Sequence, residues 1–195
     1  MAHDDPADDG PAGGATAGGA TADGGTVGGG TDGRKGARAE SFGLVVESSA
    51  PASSVFALLA DGGGWAAWAG PLVPRSSWYR TGNPAPGGVG AIRELGLRPV
   101  LSREEILEYV PPRRIVYTIV SGIPVDGYRG TVDLDPLPGG GTRITWRSSF
   151  VPTYRGTGPA LRLLGVTIVR SIARHLARAA LTHAPTPAPG TGLDG

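Results

Sequence analysis

The sequence predicts an α+β fold: a curved antiparallel sheet of about six to seven strands wrapped on one long C-terminal helix, with two short helices after the first strand. Three observations carry this prediction. A single stretch, Tyr154 to His183, has sustained helical periodicity. Almost everything before it reads as strand, broken by Gly- and Pro-rich turns. The connections between those strands are too short for βαβ crossovers, so neighbours should pair antiparallel, with the helices gathered on one side.

Taken in order, residues 1–39 are Gly, Ala, Thr and Asp with almost no large apolar side chain. They cannot bury enough surface to offset the entropy of ordering and read as a disordered tail. The folded domain is expected over 40–183, and a second Pro/Gly-rich tail over 184–195. Ser41 to Ser49 is β-prone and forms the first predicted strand. Pro51 opens a short amphipathic helix with Val55, Phe56, Leu58 and Leu59 on its apolar side and Ser49 as its cap. Asp61 and the glycines Gly62–Gly64 end it. A further helical turn, Gly64 to Gly70, places Trp65 and Trp68 three residues apart on one side.

Strand signals then dominate. They run through Ser76–Thr81, Val89–Leu97, Leu101–Val110, Ile115–Ser121, Gly127–Leu134 and Thr142–Phe150. Pro111-Pro112-Arg113 makes a tight hairpin turn that should bring Ile106 near Tyr117 and Glu108 near Ile115. In the last strand Ile144, Trp146, Ser148 and Phe150 alternate with Arg143, Thr145, Arg147 and Ser149, giving one apolar and one solvated face. In the long helix, at ~100° per residue, Leu161, Leu164, Ile168, Ile172, His175 and Ala179 share an arc aimed at the sheet. Arg170, Arg174 and Arg178 form a row on another side. Thr157 is the expected N-cap, ahead of Gly158-Pro159.

Composition excludes several function classes. There is no cysteine, hence no disulfide framework, Cys-based zinc site or thiolate nucleophile. The three histidines, His3, His175 and His183, make no metal motif, and neither a GxSxG elbow nor a phosphate loop occurs. No apolar run reaches membrane-spanning length. The acidic start lacks a secretory h-region, so a cytoplasmic location is the default expectation. Residues 1–33 hold six of the seventeen acidic residues and none of the eighteen basic ones. The remainder is therefore basic, but its arginines are scattered, and no nucleic-acid module is present.

Four stretches, in this order, resemble the START/SRPBCC superfamily, which includes lipid-transfer domains and polyketide cyclase/dehydrase-like proteins. They are SSAPASSVFALLADGGGWAAWAG, GGVGAIREL, ILEYVPPRRIVYTIVSG and GGGTRITWRSSFVP. The resemblance implies the START-like helix-grip fold and a cavity between sheet and C-terminal helix that suits a hydrophobic or amphipathic small molecule. It implies neither a metal nor a nucleotide cofactor. Carriers and enzymes both use this fold, so activity has to be argued from the site.

Three readings follow: a binding protein for a lipid or polyketide-like molecule, an aromatase/cyclase- or dehydratase-like enzyme, and a regulatory protein-interaction module. For the enzyme, His175 is the expected acid/base, or else a histidine satisfied by backbone. Arg93 is the expected oxyanion partner. Arg93 and Glu94 must point to opposite faces, so one of them should enter the cavity, unless each is half of a cross-strand ion pair with residues such as Arg103 or Glu104. Tyr117 and Tyr128 are expected to offer hydroxyls from the wall. Trp65 and Trp68 should line an entrance, Trp146 should sit between Ile144 and Phe150, and Ile168 and Ile172 should face the ligand from the helix.

Overall fold

The computed structural model describes residues 38–97 and 99–183. Apart from residues 38 and 39, the predicted tails, with His3, lie outside the described residues. Seven strands form one antiparallel sheet in the order β1-β7-β6-β5-β4-β3-β2. They are β1 (Glu40–Ser48), β2 (Arg75–Arg80), β3 (Ile92–Leu97), β4 (Val100–Val110), β5 (Arg114–Ser121), β6 (Val125–Pro136) and β7 (Thr142–Pro152). Helices α1 (Ala52–Ala60) and α2 (Trp65–Trp68) connect the two edge strands, and α3 (Gly158–Ala179) packs against β1 and β7.

Strands β2 to β7 run as a meander, each paired with the next, while β1 closes onto β7. Register breaks at Trp78/Arg80, Arg103/Glu104, Ile106/Glu108 and Asp126/Arg129 bend the strands, as bulges do. They account for a sheet that curls around a helix. One break alters an expected pairing. Ile106 does lie opposite Tyr117, but Glu108 meets Val116 rather than Ile115. The extra residue is Leu107, which is left on the surface. The predicted third strand also starts late, at Ile92, because Val89 makes only an isolated bridge to Asn83.

Neither expected helix cap forms. Pro51, not Ser49, occupies the start of α1, without a side-chain bond. Thr157 does precede α3, but its hydroxyl donates backward to the Tyr154 carbonyl instead of capping an α3 N–H.

The buried line of α3 runs through Val169, Ile172, Ala173, Leu176, Ala177 and Ala180, about one residue around from the predicted arc. The reason is steric. Alanines let the C-terminal half of the helix approach the sheet so closely that the Ser48 hydroxyl donates to the Ala177 carbonyl at 2.8 Å. An arc weighted toward large side chains misses a seam made of small ones. In the N-terminal half, Leu161 and Ile168 are half-buried and Leu164 exposed, because the sheet curves away there. Arg170, Arg174 and Arg178 are exposed, as expected. Among the described residues no helix is long and apolar enough to cross a membrane.

Candidate functional site

Where α3 and the sheet diverge they enclose a hollow of about 380 Å³. Its floor is aromatic: Trp65, Tyr117 and Trp146 are all buried and line it. Its outer rim comes from Leu72 after α2, Pro99 between β3 and β4, Ile123 between β5 and β6, and Leu161 and Leu164 on α3. Ile168, Val169 and Ile172 form the helical wall, with Phe42 and Phe150 beside them. Gly165 belongs to the same wall, and a Cβ there would lie 2.9 Å from the Phe42 ring. The missing side chain thus lets Phe42 pack under the helix.

Three polar features are set in this apolar lining. The first is a hydroxyl chain. Trp146 Nε1 donates to the Tyr117 hydroxyl at 3.1 Å, which is 3.4 Å from the Tyr128 hydroxyl, itself 2.9 Å from Ser148 Oγ. Burial pushes the Tyr117 phenol well above its ordinary range, with the neighbouring Tyr128 adding to the effect. Burial raises Tyr128 as well. Both phenols are therefore protonated at neutral pH and serve as hydrogen-bonding groups, not phenolates.

The second feature is an ion pair. Arg93 is 1% exposed. Its Nε and Nη2 both reach Glu104 Oε2, at 3.0 and 2.8 Å, and its Nη1 donates to the Leu59 carbonyl at 3.4 Å. The guanidinium lies 4.0 Å from the Trp65 ring centroid and 5.0 Å from that of Tyr117. Arg93 does point inward while Glu94 points out to Arg103 at 2.9 Å. However, the aromatic floor covers Arg93, and the group that lines the hollow is Glu104. The third feature is Ser102, on the same wall, whose Oγ is buried without a partner among the described residues.

Several expected site residues are placed elsewhere. His175 does not line the hollow: its Nδ1 meets the Ser171 carbonyl at 2.8 Å, and its ring packs on Gly70, where a Cβ would come within 2.8 Å. That is the backbone-satisfied alternative. Glu94 belongs to the outer face. Trp68 packs at a tilt against Trp65, with ring centroids 4.9 Å apart, and is not part of the lining. Trp65 is floor rather than entrance, its indole N–H donating to the Leu59 carbonyl at 3.1 Å. Trp146 is both core and wall. Tyr117, Tyr128, Ile168 and Ile172 line the hollow as expected.

Sequence reasoning weighed Glu104 only as an ion-pair partner and passed over Ser102 and Ser148. One signal pointed to Glu104. A tight β3–β4 hairpin pairs Arg93 with Glu104 and Glu94 with Arg103, two opposite-charge matches from a single register.

A family model described as polyketide cyclase/dehydrase and lipid transport matches residues 40–184. No curated protein matches the chain. Among solved structures, a START superfamily protein from Mycobacterium smegmatis superposes with a TM-score of 0.62 at 13% identity, over 73% of this chain and 97% of that one. The protein XoxI from Bacillus cereus gives 0.58 at 19%, over 72% and 95%. Norcoclaurine synthase from Thalictrum flavum, solved with dopamine and hydroxybenzaldehyde, gives 0.62 at 13%, over 77% and 91%. At these identities the likeness shows the fold, which is the START-like helix-grip fold.

Proposed function

Because the chain belongs to the polyketide cyclase/dehydrase and lipid transport family, we propose that residues 40–183 hold a hydrophobic small molecule between α3 and the sheet. One observation carries this reading: the hollow of about 380 Å³ is lined almost wholly by apolar and aromatic side chains, and concave apolar spaces of this size suit small organic ligands. That lining and the family support a ligand of lipid or polyketide-like character.

A neutral environment-sensitive dye, N-phenyl-1-naphthylamine, should gain fluorescence on binding the protein. The gain should be lost in Ile168→Trp, which fills the hollow from the helical side while leaving the α3 seam at Ala173 and Ala177 untouched. Equal enhancement in a folded Ile168→Trp protein would count against binding in this hollow.

The enzymatic reading, cyclisation or dehydration of a poly-β-ketone, is favoured by one observation: a carboxylate and two neutral phenols share the wall. In that reading Glu104 moves the proton and Tyr117 and Tyr128 orient the carbonyls. Arg93 holds Glu104 in position rather than touching substrate.

A further inference from the structure

We propose that Glu104 is the specificity-determining group of this hollow and that it selects a hydroxy-aromatic ligand donating a hydrogen bond to the carboxylate. This deepens the hydrophobic-ligand reading and rests on it.

Both Arg93 donors land on Oε2, and Oε1 takes no hydrogen bond from any described residue. A carboxylate oxygen accepts and does not donate, so this wall asks its ligand for a donor. Two residues earlier on β4, Ser102 Oγ is buried without a partner among the described residues. Unsatisfied buried polar atoms of this kind are uncommon, and this one leaves Glu104 Oε1 as the acceptor that the wall offers a guest.

Ligand anions are disfavoured for a separate reason. Arg93 lies against the floor, but Trp65 and Tyr117 cover it, and its hydrogen bonds go to Glu104 and Leu59. A carboxylate entering the hollow would meet Glu104, and no Lys, Arg or His stands among the described lining residues. The remaining lining selects the ligand's body. Phe42, Trp65, Tyr117, Tyr128, Trp146 and Phe150 surround the space, and aromatic walls favour edge and offset contacts with another aromatic ring.

Three matched probes test this: 2-naphthol, its methyl ether 2-methoxynaphthalene, and 2-naphthoate, each titrated by fluorescence into the full chain at neutral pH. The ether keeps the ring and loses the donor, and the carboxylate adds a charge. Naphthol should bind roughly tenfold or more tighter than the ether, the span of a hydrogen bond to a charged group, and naphthoate should bind weakest. In Arg93→Met/Glu104→Leu, which removes both charges together, naphthol should lose its preference over the ether.

Equal naphthol and ether affinity in the unaltered protein would overturn the proposal while leaving the hydrophobic-ligand reading standing. So would naphthoate binding tightest, or a naphthol preference surviving in the double variant. If none of the three probes binds, both fall. The comparison within the unaltered protein decides the matter even if the double variant does not fold.

Discussion

Glu104→Leu, with Arg93 left in place, is expected to cost about 3–5 kcal/mol of stability, the usual result of stranding one member of a buried ion pair. For a domain of this size that lowers the melting temperature by roughly 10–20 °C. The Arg93 guanidinium is 1% exposed, and its carboxylate partner retains only 13% of its side-chain exposure. Without Glu104 the cation keeps one neutral acceptor, the Leu59 carbonyl, and two aromatic faces. Arg93→Met/Glu104→Leu should recover most of the loss, because an apolar pair of similar volume removes the stranded charge. Urea denaturation of the parent, both single variants and the double variant gives the coupling directly. A double variant no more stable than Glu104→Leu would mean that Arg93 is not held by this contact.

The second large effect is expected at Trp65. Trp65→Ala should cost about 3–5 kcal/mol, the range for emptying a buried aromatic site. It removes the ring lying 4.0 Å from the Arg93 guanidinium, the edge contact to Trp146 and the indole bond to the Leu59 carbonyl. Its consequence for binding should differ in kind from that of Glu104→Leu. With the ring gone the guanidinium is uncovered toward the hollow, so 2-naphthoate should gain affinity relative to 2-naphthol in titrations run well below the melting temperature. Unchanged probe ranking in a folded Trp65→Ala protein would show that the ring does not screen Arg93.

These two residues show how far the sequence could be read. The fold was legible because it is written in periodicity. The alternation of Ile144, Trp146, Ser148 and Phe150 is buried as expected, and the Pro111-Pro112 turn sets a hairpin with Ile106 opposite Tyr117. The site was harder, since side-chain direction there depends on features with no periodic signature. Charged residues fall on both parities of β4, and the bulge at Leu107 breaks the alternation between Ile106 and Glu108. Alternation alone could not pick Glu104 out of Arg103, Glu104, Glu105 and Glu108.

His175 illustrates the other gap. It shares an arc with the large residues Leu161, Leu164, Ile168 and Ile172, whereas α3 seats on Ala173, Ala177 and Ala180. The resulting one-residue rotation takes the imidazole out of the hollow and onto Gly70. Inward parity on a regular strand places Tyr117, and the open side of the helix places Ile168 and Ile172, whereas Tyr128 lines the hollow from inside the Asp126/Arg129 register break.

Isotope-filtered NMR contacts between bound 2-naphthol and the protein put the main claim to trial: a guest occupies the space between α3 and the curled sheet. Contacts from the naphthol ring to Trp65, Tyr117 and Ile172, all part of the lining, are the predicted result. Contacts confined to exposed side chains outside the lining, such as Leu163 and Tyr154, would contradict it.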